Sequence, residues 1–353
     1  MCDAFVQAGH YVRLFVPAEA RREPWAALAG QYGLRHEFEV EWLSSRRAFR
    51  RMDFVLQSRA AARRLGAQLL YTWLPQAAAL EARLGGRVVL EMHADVAGRY
   101  GSWWLKQFWR SPHGRLLVTT TALWRALERS TGLAFPAARV QVSPNGVDLE
   151  RYEGLPDPPA ARSRLGLPEA FTIGFSGHFY PGRGIELLYE LARELPQFRF
   201  LWVGGTPAAV EEWQGKLEQA AHTNVSLIGF VDNTLLPIYQ AASDVLVMPY
   251  TESIAASSGQ DIAEVINPMK MFEYMAARRP IISADLPVIR EVLDDTKALF
   301  CPPRDLAAWK NAIINLESQP TRRSVLAENA RREVEHHTWL RRAQRALEGA
   351  ESL

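Results

Sequence analysis

Short apolar runs alternate with helix-like segments along the whole chain, and this alternation limits the fold more than any other feature of the sequence. Such alternation is typical of parallel βαβ units. It predicts two α/β domains, each built on a doubly wound parallel sheet. The predicted strands are residues 11–16, 37–43, 68–73, 87–92, 116–120 and 140–143 in the first half, and residues 171–175, 198–203, 225–230, 244–248, 280–283 and 298–301 in the second half.

A turn followed by a proline-rich stretch divides the two halves. Asn145-Gly146 is a strong turn signal, and residues 155–159 contain three prolines, which resist both helix and central strand. We therefore interpret this stretch as the interdomain linker. The predicted divisions are an N-terminal domain at residues 1–155, a second domain at residues 156–334 and a final helix at residues 335–353.

The chain opens on a helix-like segment, residues 1–9, and the first apolar run follows it. A doubly wound domain normally begins with a strand and a ligand-facing loop before its first helix. We therefore expect that the sequence lacks the first strand of this domain.

The composition predicts a globular protein of a reducing compartment. An apolar content of 48% in 353 residues is enough for two hydrophobic cores. Cys2 and Cys301 are too few and too far apart for a disulfide framework. The sequence contains no run of about 18 uncharged apolar residues and no pattern of a secretion signal. We expect a cytoplasmic protein, either free or bound peripherally at the inner face of the membrane.

Positive charge is concentrated in the N-terminal half. Residues 1–150 contain 20 Lys and Arg against 13 Asp and Glu, whereas residues 151–353 contain 21 against 26. An arginine cluster attracts anionic surfaces such as lipid headgroups, but a solvated helix face explains the same pattern, and both interpretations stay open. No recognition module accompanies the cluster, so we do not expect nucleic-acid binding. The cluster is Arg46, Arg47, Arg50, Arg51, Arg59, Arg63 and Arg64.

Residues 267–276 follow a buried-type apolar run and predict a ligand site. They place Glu273 near the start of a helix that opens beside the carboxyl end of a strand, where open α/β sheets bind ligands. A carboxylate there can accept hydrogen bonds from two vicinal hydroxyls, as on a ribose, while N–H groups of the first helical turn face a diphosphate. Taken alone, the motif also fits an ordinary amphipathic helix with one solvated glutamate.

A glycine-rich loop, residues 176–184, opens the second half after the run 171–175. Glycines let the backbone approach an anion closely, and Arg183 can form a forked contact with a diphosphate. The loop is not a P-loop, because Arg183 replaces the required lysine and Gly184 replaces the hydroxyl that binds Mg²⁺. It also lacks the glycine spacing of a dinucleotide-binding loop. A plain glycine turn remains the alternative.

No metal or cofactor is expected from the sequence. It contains no Asp-x-Asp pair and no cluster of His, Cys and carboxylates at ligand spacing. If a diphosphate leaves during a reaction, its charge must therefore be met by helix N-termini and by Arg183 and Lys270, the cations of the two candidate loops.

In the first half, His93 directly follows the apolar run at residues 88–92. There it can bind a sugar hydroxyl or orient a reacting group, but a histidine at a strand end is also often a satisfied polar residue. An aromatic stripe with basic flanks follows and fits core, an acceptor cleft or a membrane-surface helix. Its members are Trp103, Trp104, Phe108 and Trp109.

Taken in order, these motifs resemble the retaining glycosyltransferases of family 4, which have the GT-B fold of two Rossmann-like domains facing a central cleft. Residues 143–148 are similar to the family's interdomain "PNGVD" signature, and residues 267–276 to the "PxKxxEYMA" form of its donor-ribose motif. Residues 177–184 resemble its diphosphate loop and residues 229–231 its nucleobase-facing turn. Residues 91–93 match its Glu-x-His strand end. The similarity extends over nearly the full length.

The resemblance implies a nucleotide-diphospho-sugar donor bound by the C-terminal domain and a saccharide or lipid-linked acceptor bound by the N-terminal domain. Glu273 would hold the ribose, Arg183 the diphosphate and His93 the donor sugar. The last helix would cross back to the first domain. The implied donor-binding residues are Gly177, His178, Arg183, Gly184, Phe230, Val231, Asn267, Pro268, Met269, Lys270 and Glu273, and the implied catalytic residues are His93 and Glu264.

The sequence departs from the family pattern at two positions. The family often has two glutamates eight positions apart, but Val265 stands eight before Glu273, with Glu264 one residue away. His178 stands where many members carry an arginine, which leaves one fewer permanent positive charge.

The sequence therefore predicts a metal-independent retaining glycosyltransferase that moves a sugar from a nucleotide-diphospho-sugar onto an acceptor hydroxyl. The alternatives are another GT-B enzyme, such as a nucleotide-sugar epimerase, and a non-catalytic scaffold that binds nucleotide-sugar.

Overall fold

The computed structural model describes residues 1–18, 22–96, 98–256 and 259–350, except for the side chain of Arg47. The chain separates into two units. Unit 1 is Met1–Asn145 together with Trp339–Leu353, and unit 2 is Gly146–Thr338.

Strands and helices alternate through both units, as the apolar pattern predicts. The strands are β1 (Arg13–Ala18), β2 (Glu39–Ser44), β3 (Leu70–Thr72), β4 (Val88–Met92), β5 (Gly114–Val118), β6 (Val140–Val142), β7 (Thr172–Ser176), β8 (Arg199–Val203), β9 (Val225–Gly229), β10 (Val245–Met248), β11 (Ile281–Ala284) and β12 (Ala298–Cys301). Each predicted strand is confirmed, with ends shifted by a few residues.

The helices lie between these strands and after the last of them. They are α1 (Cys2–Gln7), α2 (Trp25–Tyr32), α3 (Met52–Arg64), α4 (Pro75–Arg83), α5 (Gly98–Trp109), α6 (Thr121–Thr131), α7 (Pro158–Leu165), α8 (Ile185–Glu194), α9 (Pro207–Gln219), α10 (Leu236–Ala241), α11 (Met269–Ala276), α12 (Leu306–Ser318), α13 (Pro320–Glu333) and α14 (Trp339–Leu347). Across the described ranges, none of these helices combines the length and apolar character that a membrane crossing requires.

Local sequence explains where several helices begin. The side chains of Thr120, Asp157, Thr206 and Asp305 each accept a hydrogen bond from a backbone N–H of the following first turn. Threonine and aspartate at this position satisfy N–H groups that have no partner inside the helix.

The strands of unit 1 are all parallel and form two sheets. One sheet is β1-β2, and the other has the order β3-β4-β5-β6. Hydrogen-bonded strands must lie about 4.8 Å apart, and no described ladder joins β1 to β3. Our sequence analysis, which counted one sheet in this half, did not predict this separation.

The core of unit 1 joins the two ends of the chain. Val88, Val89 and Leu90 of β4 are completely buried, as expected of a central strand covered on both faces. Ala4 and Phe5 of α1 pack in one cluster with Val89, Leu117 of β5, and Ala343 and Ala346 of α14. The last helix therefore completes the core of the unit that the first helix begins.

Unit 2 contains one six-stranded parallel sheet with the order β12-β11-β10-β7-β8-β9. β7 pairs with both β8 and β10, so the strand order reverses between β7 and β10. In open α/β sheets, ligands bind at the carboxyl ends of the strands beside such a reversal. The loop after β7 and the segment between β10 and α11 occupy this position.

Candidate functional site

Glycines bring the loop after β7 into close contact with its neighbours at this reversal. A Cβ atom built on Gly184, which has a φ of 85°, would lie 1.9 Å from the carbonyl oxygen of Pro249, just after β10. Gly177 has a φ of 136°, and a Cβ atom there would lie 2.8 Å from Nζ of Lys270 in α11. Only glycine fits these positions without displacing the backbone or the lysine. The two candidate loops of the sequence analysis therefore meet.

Lys270 is the most informative residue of this region, because its charged group is buried without a hydrogen-bond partner among the described residues. Its Nζ lies 3.8 Å from the ring centroid of Phe175 and 5.6 Å from that of Tyr250. Burial holds the pKa of Lys270 well below its usual value, Arg183 lowers it further, and Glu273 opposes the change. A buried ammonium without a partner is costly, so the site favours an anion.

Arg183 supplies a second cation beside the same ring. Its Cζ lies 5.6 Å from the Tyr250 centroid, and its Nε has no hydrogen-bond partner within the described ranges. The hydroxyl of Tyr250 is likewise unpaired there, and burial raises the pKa of Tyr250 to about 12, against the opposing charge of Arg183. Three donors that lack a hydrogen-bond partner among the described residues therefore lie together, namely Lys270 Nζ, Arg183 Nε and the Tyr250 hydroxyl, which suits an anion with several oxygens.

Glu273 is held by a buried polar network. Its Oε2 accepts a hydrogen bond of 3.2 Å from Nε2 of Gln240 in α10, and Gln240 also donates to Oγ of Ser176 at 3.2 Å. Oε1 of Gln240 accepts a 3.0 Å hydrogen bond from the hydroxyl of Tyr152. Burial raises the pKa of Glu273, while the Gln240 hydrogen bond and the charges of Arg151 and Lys270 act in the opposite direction. The sequence analysis missed Gln240, because only the fold brings it to Glu273.

His178 lies on the exposed side of the glycine loop. Its ring stacks on Tyr180 with 4.9 Å between centroids and 14° between planes. Partial burial lowers the pKa of His178, and the charges of Arg183 and Lys270 lower it further. The pKa of His178, which stands where many family members carry an arginine, therefore depends on the charges of Arg183 and Lys270.

Phe230 and Val231, the two residues after β9, differ in exposure. Phe230 exposes 64% of its surface, whereas Val231 packs against a core cluster that includes Ala161, Leu201 and Ala241. Of the two predicted nucleobase contacts, Phe230 is the more exposed to solvent.

The residues before α11 differ strongly in exposure. Asn267 is buried, Met269 is 50% exposed, and Pro268 provides no side-chain hydrogen bond to the first helical turn. Glu264 is exposed on the preceding turn, while Val265 is buried. Val265, which stands where the family often has a glutamate, is therefore buried, whereas Glu264, one residue earlier, faces solvent.

In unit 1, His93 is tied to a buried glutamate at the end of β4. Its Nε2 lies 2.7 Å from Oε1 of Glu91, which is 1% exposed. The same oxygen accepts a 2.6 Å hydrogen bond from Nη2 of Arg342 in α14, and Oε2 accepts one from the hydroxyl of Tyr71. The sequence analysis identified Glu91 and His93 but missed Tyr71 and Arg342, which no local pattern marks.

The arginine cluster and the aromatic stripe of unit 1 lie partly at the surface. Arg46, Arg50, Arg51, Arg63 and Arg64 are exposed, and Arg59 is half-buried beside Glu81, with 2.9 Å between Nε and Oε2. In α5, Phe108 belongs to the core and Trp103 is 47% exposed. Within the part of the chain that the structure describes, no group of three or more His, Cys, Asp or Glu side chains could hold a metal ion.

Known proteins match this chain in both sequence and fold. The sequence model for "Glycosyltransferase Family 4" matches residues 1–151, and that for "Glycosyl transferases group 1" matches residues 170–319. A sucrose-phosphate synthase from Thermosynechococcus elongatus superposes with a TM-score of 0.78 at 20% identity, covering 99% of this chain and 91% of its own. Anabaena Alr3699/HepE, solved in complex with UDP and glucose, gives a TM-score of 0.76 at 17% identity, with coverages of 100% and 95%.

The chain belongs to the glycosyltransferases of group 1 and family 4, and its fold is GT-B. The sequence analysis predicted this family and this fold, and both predictions are confirmed. Among curated relatives, D-inositol 3-phosphate glycosyltransferase of Rhodococcus jostii is 30% identical over 249 residues, which are 66% of this chain and 51% of the relative. The chain spans from about a third to a little over half of the length of the curated relatives it matches.

Proposed function

We propose that this chain is a retaining glycosyltransferase that moves a sugar from a nucleotide-diphospho-sugar to an acceptor hydroxyl without a metal ion. The observation that carries the proposal is Lys270, whose buried ammonium has no partner among the described residues and lies beside Arg183. A diphosphate would supply the missing negative charge. The family to which the chain belongs supports this choice of ligand.

The donor would bind at the carboxyl ends of β7 and β10. Arg183, Lys270 and the first turn of α11 would hold the diphosphate through charge-assisted hydrogen bonds. Glu273 would accept hydrogen bonds from the ribose hydroxyls, with one of its oxygens already fixed by Gln240. Phe230 would stack on the nucleobase.

The chemical step would break the bond between the anomeric carbon and the diphosphate oxygen. The acceptor oxygen would form its new bond on the same face of the sugar, and the leaving phosphate would take the acceptor's proton. Two fixed cations would stabilise the negative charge that develops on the diphosphate, a role that a metal ion can also fill. We assign His93 to the donor sugar and Glu264 to the same reacting centre.

UDP-sugars are the first donors to test, because Anabaena Alr3699/HepE is solved in complex with UDP and glucose. We further propose a hexosyl group and a polysaccharide or glycolipid acceptor, a choice supported by the names of relatives, which include an alpha-galactosylglucosyldiacylglycerol synthase of Streptococcus pneumoniae. We place the protein in the cytoplasm. Its exposed arginines would contact an anionic membrane peripherally, which suits a lipid-linked acceptor.

A panel of UDP-, GDP- and ADP-sugars tested by thermal unfolding decides whether a donor binds, because a ligand of the folded state raises its apparent stability. We expect one nucleotide class to raise the unfolding temperature of the wild type. Arg183→Ala should weaken that binding by about 1.5–3 kcal/mol. Failure of every nucleotide-sugar to bind would overturn the proposal.

Product analysis separates the proposed enzyme from its two rivals. Transfer to an acceptor with the anomeric configuration kept supports the retaining transferase. Turnover of the sugar nucleotide to an epimer without an acceptor would favour the epimerase, and binding with no product would favour the scaffold.

A further inference from the structure

Glu91 is the centre of a buried polar cluster in unit 1, formed by Tyr71, Glu91 and Arg342. Its carboxylate is 1% exposed and lies at the carboxyl end of a strand whose other residues are apolar. Tyr71 donates to Oε2, and Arg342 donates to Oε1. His93 contacts Glu91 through Nε2, and 41% of the His93 side chain is accessible to solvent.

Arg342 is itself fixed from three sides. Its Nη2 bonds Glu91 and donates at 3.1 Å to the carbonyl of Ser143, and its Nε donates at 2.8 Å to the carbonyl of Pro144. Only 3% of its side chain is exposed. A guanidinium with several fixed acceptors has little freedom, so α14 holds the Glu91 carboxylate in one place.

The hydrogen bonds and charges around Glu91 keep its carboxylate ionised, so that it can only accept hydrogen bonds. Burial alone would favour the protonated acid, but hydrogen bonds from His93 and Arg342 outweigh burial and hold the pKa of Glu91 well below its usual range. Burial and the charge of Glu91 raise the pKa of Tyr71 far above its usual value, so its hydroxyl remains a donor. His93 therefore faces an ionised oxygen that can only accept a hydrogen bond.

An aromatic ring also packs against the imidazole of His93 and restricts its orientation. The ring of Trp73, which follows β3, meets the imidazole edge to face with 5.4 Å between centroids and 75° between planes. An imidazole bound through one nitrogen and packed by an aromatic ring presents a defined tautomer to its surroundings.

We propose that Tyr71 and Arg342 are positioning residues that act through Glu91, which fixes the imidazole of His93 with a hydrogen on Nε2 and orients Nδ1 toward the substrate. This role rests on the proposed function, in which His93 contacts the donor sugar. The last helix of the chain thereby sets the chemistry of a residue near its first quarter.

The alternative is a purely structural ion pair, and stability measurements alone do not exclude it. Removing one partner of a buried pair leaves an uncompensated charge and costs about 3–5 kcal/mol, whereas apolar replacement of both partners is often neutral. The double variant Glu91→Leu/Arg342→Leu therefore separates the two roles. If the pair is structural, the double variant recovers activity together with stability.

The first test compares Arg342→Leu, the double variant and the wild type for unfolding temperature and for kcat of sugar transfer. We expect the single variant to lose stability and the double variant to recover most of it. We expect kcat of the double variant to stay at least about tenfold below wild type, because a catalytic group displaced by about 1 Å loses up to about a hundredfold. Recovery of kcat to the wild-type value would overturn the proposal.

Arg139→Leu is the matched control. This arginine of the same unit donates to the carbonyls of Trp109, Ser111 and Gly114 but not to Glu91. The control should lower the unfolding temperature and leave kcat unchanged when measured well below it.

The second test reads the imidazole directly and needs no activity. Uniform ¹⁵N labelling of the eight histidines, with His93→Gln for assignment, reports which ring nitrogen carries the hydrogen. We expect Nε2–H in the wild type and a mixture of tautomers in the double variant. A wild-type Nε2 without a hydrogen would overturn the proposal even if sugar transfer is confirmed. Conversely, absence of nucleotide binding would refute the proposed function while this measurement still decides the tautomer.

Discussion

Lys270 places its ammonium group where a side chain of Gly177 would stand. A Cβ atom at position 177 would lie 2.8 Å from Nζ of the lysine, although 93 positions separate the two residues in sequence. The glycine thus leaves room for a buried cation, and the cation reaches the anion-binding loop only because the glycine is there. The conformation of the loop at Gly177 and the position of the Lys270 ammonium group therefore depend on each other.

Replacing Gly177 by alanine should damage both features. The φ of 136° is nearly restricted to glycine, so we expect the free energy of unfolding to fall by about 1–3 kcal/mol. The displaced lysine should also weaken UDP binding, measured by calorimetry. Gly215→Ala is the control, because its Cβ meets nothing within 4 Å inside α9 and alanine stabilises a helix by up to about 1 kcal/mol. Wild-type UDP affinity in Gly177→Ala would contradict this coupling.

Lys270→Met should separate binding from stability. Loss of the charge-assisted contact to a diphosphate should cost about 1.5–3 kcal/mol of UDP affinity, roughly 10- to 100-fold in Kd. The ligand-free protein should be at least as stable as wild type, because the variant removes a buried cation that has no hydrogen-bond partner in the described part of the chain. Calorimetry and urea unfolding measure the two effects. Lys216→Met, an exposed lysine of α9, should change neither, and unaltered UDP affinity in Lys270→Met would refute the assignment.

Glu273→Gln should change how stability depends on pH. Since burial raises the folded-state pKa of Glu273 above 4.5, this carboxyl contributes stability that is fully present below about pH 4.5 and is lost as the pH rises through the folded-state value. Glutamine removes this loss, so the variant should gain stability relative to wild type as the pH increases toward neutrality. Urea unfolding at several pH values measures the difference. A difference that is constant with pH would contradict the raised pKa.

Phe230→Ala should weaken nucleotide binding without affecting the fold. The side chain is 64% exposed, so its removal leaves no cavity. Loss of stacking on a nucleobase should cost about 1–3 kcal/mol of UDP affinity. Leu235→Ala, which truncates a side chain of similar exposure (52%) five positions along the chain, is the control. Equal UDP affinity of both variants in calorimetry would remove Phe230 from the site.

Membrane contact can be tested with vesicles. Arg63→Gln/Arg64→Gln removes two exposed charges from the end of α3. The variant should bind phosphatidylglycerol vesicles more weakly, by about 1 kcal/mol of binding free energy per arginine, as measured by co-sedimentation. Phosphatidylcholine vesicles, and about 1 M salt, should abolish binding of the wild type. Arg322→Gln/Arg332→Gln in α13 is the control of equal charge. Equal binding of both double variants would argue for a solvated helix face.

The sequence predicted the strands and the two loops well, because each depends on local patterns. Apolar runs mark β7 and β10, and the glycines on both sides of Arg183 mark where the backbone turns toward a ligand. The same local information identified Lys270 as one of two available cations. The roles assigned to His93, Glu264 and the donor-binding residues stay predictions that the variants above test.

Contacts between distant residues were beyond local patterns. Gln240 bonds Glu273 from 33 positions away, and Arg342 bonds Glu91 from 251 positions away. A glutamine in a short helix and an arginine in a charged one look like surface residues until the fold buries them. The division of the first unit into two sheets likewise depends on which strands pair, and apolar periodicity does not specify pairing.

The packing of α14 against α1 has a consequence for how the protein is made. Residues 4, 5, 89 and 117 share their apolar cluster with residues 343 and 346, so this cluster can close only after the ribosome has released the chain past residue 346. The uninterrupted stretch from residue 146 to 338 has no such delay and can collapse while translation continues. Unit 1 should therefore complete its folding after unit 2.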